Sequence, residues 1–170
     1  MTRLSSICLL ALAMCGIAAA APPTEANWSE HMNQYAGKFH LHADGSDAPV
    51  YEFNFKWTEP GKIAEYTSRS VGDAPSSRSS GFCFWNAEEK RVEFNEIEFG
   101  KEEGRIAVDG FCVNASKDTM TWIVTFWTQE GVVRRIAMAD TFTKNGISRA
   151  VTLLDGEPLP TEIVEWIRVK

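Results

Sequence analysis

The stretch of the chain that decides its fold is TMTWIVTFWTQEGVVRRIAMADTFTKNGISRAVTLL, residues 119–154. Apolar and polar residues alternate along most of it, and this period of two is typical of β-strands with one buried face. Two turn signals interrupt the alternation, Gln129-Glu130-Gly131 and Asn145-Gly146. They divide the stretch into three predicted antiparallel strands. The predicted bounds are Thr119–Thr128, Val132–Phe142 and Ile147–Leu154.

The first turn predicts how its two strands pair. Three loop residues ending in glycine favour a type I turn followed by a G1 bulge. This turn places Trp122 opposite Met138 and Met120 opposite Asp140. A two-residue Glu130-Gly131 turn would shift the pairing by one residue and divide the apolar side chains between two faces. We therefore predict the bulged turn, because it keeps them on one inner face.

The second turn predicts the next pairing. Asn-Gly favours a two-residue type I′ hairpin, which pairs Lys144 with Ile147. Counting outward, Phe142 lies opposite Arg149. Asp140 is then a diagonal neighbour of Arg149 on the same inner face.

Three charged residues, Asp140, Arg149 and Arg134, are thus predicted to face an apolar interior, where a charge is costly unless it is paired. Two interpretations are open. In one, Asp140 and Arg149 form a structural ion pair at a barrel rim. In the other, the interior is an aromatic-walled pocket, and Arg149 or Arg134 meets the acidic head group of an apolar ligand. The candidate ligand-binding residues are Phe53, Phe55, Tyr66, Trp122, Phe126, Arg134, Met138, Asp140 and Arg149.

The rest of the chain after Gly37 also alternates with period two between regularly spaced turn residues. A short amphipathic helix is predicted between Pro23 and Tyr35, and the Ser-rich segment 72–81 is predicted to be a mobile loop. The pattern predicts one all-β domain over residues 22–170, an antiparallel up-and-down barrel of about 8–10 strands. The further predicted strands are Lys38–His42, Tyr51–Trp57, Ile63–Ser70, Phe82–Trp85, Arg91–Phe99, Arg105–Val113 and Glu162–Val169.

The N-terminus predicts export. Arg3 precedes an apolar run from Leu4 to Ile17 that is too short to span a bilayer, and small residues follow up to Ala21. This is the pattern of a cleaved signal peptide over residues 1–21, with a secreted or periplasmic mature protein. The alternative is lipoprotein anchoring at Cys15, against which the bulky Met14 argues.

The formal net charge is −6, and no basic run exists to neutralise phosphates. We therefore expect no nucleic-acid partner. No segment of the mature chain is apolar enough to be an integral membrane helix. The sequence makes no prediction of oligomeric state.

Two cysteines, Cys83 and Cys112, remain after the signal peptide. An even number in an oxidising compartment predicts a disulfide between them. In a meander, however, their strands would be next-nearest neighbours almost 10 Å apart, whereas a disulfide needs Cα atoms within about 7 Å. Two reduced, buried thiols are the alternative.

Catalytic and metal-binding motifs are scarce. The chain has no phosphate loop, no CxxC and no HExxH. His40 and His42 share one face of a predicted strand and could begin a metal site with Asp44 or Glu52, but a site needs three or four ligands. We expect solvated histidines and no metal.

Gly37-Lys38-Phe39 opens the first strand directly after the predicted helix that contains Trp28. This arrangement resembles the Gly-x-Trp start of lipocalin-like (calycin) barrels, with Phe39 in place of the tryptophan. The chain is also similar to exported bacterial proteins with a lipocalin-like domain. The resemblance implies a cavity for small apolar ligands, and an arginine late in the barrel, Arg149 or Arg168, packed over Phe39. The haem-binding, nitrobindin-like branch uses a late histidine, which is lacking after His42, so we predict no cofactor.

Three functions are therefore expected. The leading one is an exported barrel that binds a small, largely apolar or amphipathic molecule. The second is a non-enzymatic structural or interaction module with a filled barrel. The third is a small barrel enzyme, such as an isomerase or cyclase, that uses Asp140 as acid or base with Tyr66 as partner. A cavity of about 300 Å³ or more, walled by Trp122 and Met138, would favour the binder.

Overall fold

The computed structural model describes residues 21–42, 47–72, 76–100, 104–128, 131–155 and 161–170. They form a closed barrel of ten antiparallel strands, in which each strand pairs with its sequence neighbours and the last pairs with the first. The predicted up-and-down barrel is confirmed. The strands are β1 Gly37–His42, β2 Pro49–Glu59, β3 Ile63–Ser70, β4 Ser77–Asn86, β5 Arg91–Gly100, β6 Gly104–Ala115, β7 Thr119–Thr128, β8 Gly131–Thr143, β9 Gly146–Leu153 and β10 Glu162–Arg168.

The pairing of β7 with β8 agrees with the prediction. Trp122 lies opposite Met138 and Met120 lies opposite Asp140. The register shifts by one residue between Phe126 and Trp127, so a bulge is present, but its extra residue lies on β8 between Val132 and Arg134. The bulge was predicted at Gly131, which instead pairs with Thr128. Turn residues 129 and 130 lie outside the described residues.

The predicted pairing of β8 with β9 is wrong by two residues. Thr143, not Lys144, begins the turn and pairs with Gly146. The Thr143 hydroxyl accepts hydrogen bonds from the N–H groups of Asn145 and Gly146, both at 3.2 Å. A Cβ on Gly146 would overlap the Trp166 carbonyl oxygen of β10. Gly146 is therefore needed inside β9, for its close approach to β10, rather than in the turn.

Two short helices cover one end of the barrel. Helix α1 spans Trp28–Met32, and a 3₁₀ helix spans Asn33–Tyr35. The predicted helix was too long, because residues 24–27 form a turn in which the Thr24 N–H donates to Asn27 Oδ1 at 2.7 Å. Trp28, Met32 and Tyr35 are buried and join the barrel core, as their spacing predicted. Within the described ranges, no helix is long and apolar enough to cross a bilayer.

The segment predicted to be a loop, residues 72–81, is partly a strand. β4 begins at Ser77, and Ser79 pairs with Ser68 of β3 and with Glu98 of β5. Serine is a weak strand former in isolation, and pairing on both sides overrides that weakness here. Residues 73–75 lie outside the described part of the chain.

The predicted disulfide is wrong. Cys83 and Cys112 are both buried free thiols. They lie on β4 and β6, which are separated by β5. Strands that are next-nearest neighbours are about 10 Å apart, and this distance is too long for a disulfide, as the alternative prediction stated.

Arg168 closes the barrel beside the helices. Its guanidinium donates to the carbonyl oxygens of Ala36 at 2.6 Å and Gln34 at 2.8 Å. The same group lies 4.5 Å from the ring centroid of Phe39, which has no exposed surface. Of the two arginines that the resemblance implied for this contact, Arg168 is the one that makes it.

Candidate functional site

The barrel contains a partly open cavity of about 180 Å³ with a wall that is mainly aromatic and aliphatic. Most of the predicted ligand-binding residues line it, because the face of each strand was predicted correctly. Those residues are Phe53, Phe55, Tyr66, Trp122, Phe126, Met138 and Arg149. The cavity is also lined by residues that were not among the predicted ligand-binding residues: Met32, Tyr35, Ser68, Ser79, Cys83, Phe94, Glu96, Glu98, Val108, Val124, Ile136 and Trp166.

Arg134 lies on the predicted strand face but outside the cavity lining. It pairs with Phe126 near the start of β8, at the end of the barrel opposite the helices, and its side chain is exposed. A long side chain at a strand end reaches water instead of the interior. Arg134 is therefore not brought together with the other candidate residues.

Asp140 has no exposed surface, and although it belongs to the inner face it does not line the cavity. It lies directly opposite Arg149, which donates from Nε at 2.7 Å and from Nη2 at 3.0 Å. The Tyr35 hydroxyl donates to the same carboxylate at 2.5 Å and accepts from Trp122 Nε1 at 3.0 Å. This network ties the 3₁₀ helix to three strands. The structural interpretation of the Asp140–Arg149 pair is therefore the one that the geometry supports.

The network also shifts two pKa values. Burial, and then the negative charge of Asp140, raise the pKa of Tyr35 well above its ordinary value. Burial opposes the charge of Arg149, but Asp140 outweighs that effect and raises the pKa of the guanidinium. Tyr35 is consequently a neutral donor at physiological pH, and Arg149 is a cation already held by a carboxylate.

Two glycines make room for aromatic rings on the inner face. A Cβ on Gly110 would overlap the ring of Phe94, and a Cβ on Gly81 would lie 2.6 Å from ring and hydroxyl atoms of Tyr66. The Tyr66 ring therefore lies across β4 and donates its hydroxyl proton to Glu96 of β5 at 3.0 Å. Burial, and then Glu96, raise the pKa of Tyr66 well above its ordinary value.

A polar strip crosses three neighbouring strands of the cavity wall; it consists of Ser68, Ser79, Glu96 and Glu98. Ser79 is only 7% exposed, and its hydroxyl has no hydrogen-bond partner within the described ranges. The signal that could have found the glutamates is strand parity, since residues 92, 94, 96 and 98 of β5 alternate onto one face and Val92 and Phe94 are buried.

Cys83 lines the cavity but is not an activated nucleophile. Burial, and then the nearby Cys112, raise the pKa of its thiol far above the ordinary value. Burial likewise raises the pKa of Cys112 to about 12. Both thiols are protonated at neutral pH, and the reactive species of a cysteine is the thiolate.

The histidines of β1 lie on the barrel surface around Glu52. His40 Nε2 lies 3.4 Å from Glu52 Oε2, and Lys38 and Arg69 bridge the same carboxylate at 3.1 and 3.0 Å. Hydrogen bonding from Lys38 lowers the pKa of Glu52 in spite of its partial burial. In the described part of the chain, no group of three or more potential metal ligands converges. Asp44, the other predicted partner, lies outside it.

Comparison with protein-family models and with curated protein sequences finds no match to this chain.

Proposed function

We propose that this protein binds a small, largely apolar molecule inside its barrel. The observation that carries the proposal is the cavity and its continuous aromatic wall. Ring centroids follow one another at 5.5–6.1 Å from Trp166 through Phe53, Tyr66 and Phe94 to Trp122. Such a wall buries apolar surface of a ligand from several directions.

The cavity volume indicates the size of the ligand. About 180 Å³ is larger than the roughly 150 Å³ apolar cavity that admits benzene. It is smaller than the roughly 300 Å³ that was expected for a binder and at which pockets for drug-sized molecules begin, so the expected cavity size is not reached and the ligand has to be smaller. A compound with a single ring and a short polar substituent fits this range. The buried Ser79 hydroxyl and Trp166 Nε1, neither of which has a hydrogen-bond partner among the described residues, are available for that substituent.

The same interior argues against the alternatives. A filled barrel would leave no such volume, and Asp140 is bound by Arg149 and Tyr35 instead of lying in the wall. We further propose a lipocalin-like identity, supported by the Arg168–Phe39 contact. Export is proposed from the N-terminal sequence alone, since residues 1–20 lie outside the described part of the chain.

The experiment is a titration of the purified protein with 2-phenylethanol, followed by tryptophan fluorescence, since Trp122 and Trp166 line the cavity. Val124→Phe adds bulk to the cavity wall, and Ile123→Phe adds a similar bulk to the outer face of the same strand. We expect the wild type and Ile123→Phe to bind and Val124→Phe to lose binding. Equal binding by all three proteins would place the site outside the barrel.

Native mass spectrometry of protein purified from its own host tests the same proposal without a chosen probe. A copurified small molecule that is absent from Val124→Phe would identify the natural ligand class. A bare protein mass in repeated preparations, together with no binding of 2-phenylethanol, would overturn the proposal.

A further inference from the structure

The polar strip lies on one side of the cavity, in register across three strands. Ser68 of β3 pairs with Ser79 of β4, and Ser79 pairs with Glu98 of β5. Glu96 lies two residues further along β5, toward the helices, where Tyr66 donates to it at 3.0 Å. The cavity thus has an oxygen-rich side made by β3 to β5 and an apolar side made by β7 and β8.

The cavity wall contains more acidic than basic side chains among the described residues. Among the described residues that line the cavity, the acidic side chains are Glu96 and Glu98 and the basic one is Arg149. The guanidinium of Arg149 is paired with the carboxylate of Asp140, which does not line the cavity, through two hydrogen bonds of 2.7 and 3.0 Å. The hydrogen bond to Glu96 comes from the neutral Tyr66 hydroxyl. Arg149 lies close enough for its charge to attract Glu96, but among the described residues Glu96 has no cation within ion-pair distance. Acidic side chains therefore outnumber basic ones among the described residues of this aromatic wall.

Ser79 supplies an independent observation at the same place. Its side chain is 7% exposed, lines the cavity and has no hydrogen-bond partner within the described ranges. A buried hydroxyl without a partner costs free energy, so a ligand group that bonds to it gains affinity. The lone pairs of Ser79 and the carboxylate of its cross-strand neighbour Glu98 both accept hydrogen bonds.

We propose, on the basis of the binding function proposed above, that the ligand is a small protonated amine, with its apolar body against β7 and β8 and its ammonium group at the polar strip. An ammonium group brings several donors and a positive charge to a site that offers carboxylate and hydroxyl acceptors. The rings of Tyr66 and Phe94 next to the strip add cation–π attraction. A ligand carboxylate would be repelled by the carboxylates of the strip. We therefore propose a basic head group in place of the acidic head group that the sequence led us to expect.

The test compares three probes that share a benzyl group: 2-phenylethylamine, 2-phenylethanol and phenylacetate. Their affinities are measured by isothermal titration calorimetry at pH 7 on the wild type, Glu96→Gln and Glu98→Gln. Glu88→Gln removes the same charge from an exposed turn and is the matched control. Binding of the alcohol shows that each variant keeps its cavity.

We expect the amine to bind at least about tenfold tighter than the alcohol, and phenylacetate to bind weakest. Glu96→Gln and Glu98→Gln lower the affinity for the amine by about tenfold or more and leave the alcohol unchanged, whereas Glu88→Gln changes neither. If the alcohol binds and the amine binds no tighter, or phenylacetate binds best, the amine assignment is wrong while the barrel still binds apolar molecules. If none of the three probes binds, the proposed function itself is overturned.

Discussion

Asp140 shows how a charge is kept inside this barrel. The carboxylate is fully buried, and three hydrogen bonds from Arg149 and Tyr35 replace those it would make with water. A buried pair of this kind is costly to break from one side, because the remaining charge loses its partner.

Arg149→Met should therefore lower the free energy of unfolding by about 3–5 kcal/mol. Arg134→Met is the control, since Arg134 is exposed on a neighbouring strand and its loss should change stability by less than about 0.5 kcal/mol. The double variant Asp140→Leu/Arg149→Met should be more stable than Arg149→Met. Urea denaturation measures all three, and equal stabilities of Arg149→Met and Arg134→Met would contradict the role of the pair.

Gly110 acts through the absence of a side chain. An alanine there would overlap the Phe94 ring, which is buried in the core and lines the cavity. We expect Gly110→Ala to cost about 1–3 kcal/mol, as overpacked cores do. The same substitution in a Phe94→Leu background should cost much less, because the smaller side chain leaves room. A double-mutant cycle by urea denaturation measures this coupling, and additive effects would show that the ring does not depend on Gly110.

Among the elements, the 3₁₀ helix, β1 and β10 meet at Arg168. This side chain bonds to two carbonyl groups of the helix region and covers Phe39 of β1. Arg168→Ala should increase amide hydrogen exchange over residues 34–39 and β10. Arg168→Lys should not restore protection, because one ammonium group lacks the planar fork that reaches both carbonyls and stacks on the ring. Arg135→Ala, at an exposed position of β8, is the control, and equal exchange in Arg135→Ala and Arg168→Ala would refute the contact's importance.

The two hairpins of the deciding stretch show what sequence can determine about an element. The β7–β8 register depends on a local turn and a local apolar pattern, so it was predictable. The β8–β9 register depends on Gly146 facing β10, about twenty residues later, and that contact is invisible in the turn sequence. The error was two residues, and because side chains alternate with period two, the inner face remained correct.

The candidate site was predictable to the same extent. Aromatic residues on the inner faces of β2, β3 and β7, together with Met138 of β8, line the cavity as predicted. Ser79 was missed because the Ser-rich segment resembles a loop until pairing on both sides makes it a strand. Glu96 and Glu98 lie on a strand that was predicted, and they were missed because its alternation was not used to assign an inner face. The polarity of the expected ligand therefore rested on Arg149 or Arg134, of which Arg134 is exposed and Arg149 is bound to Asp140.

At the scale of the whole molecule, closure of the barrel buries groups that ionise at high pH. Burial is the largest cause of the raised pKa values of Cys83, Cys112, Tyr35 and Tyr66. Each of these groups is neutral when protonated. Each therefore stays protonated in the folded protein at a pH where the same group in the unfolded chain has lost its proton. Stability from this source is complete below about pH 9 and declines above it.

The two thiols give this decline a measurable slope. In the unfolded chain they lose protons near pH 9, whereas in the folded protein Cys112 holds its proton to about pH 12. Because the unfolded state then binds fewer protons, the free energy of unfolding falls by about 1.4 kcal/mol per pH unit for each thiol. Urea unfolding from pH 7 to 10 under reducing conditions should show this fall in the wild type. Cys83→Ala/Cys112→Ala should be less stable at pH 7 but have a flatter dependence between pH 8 and 10, because the tyrosines, whose ordinary pKa is near 10, contribute equally to both curves. Parallel curves for the two proteins would mean that the thiols ionise equally in both states, and burial in the barrel would then not govern their chemistry.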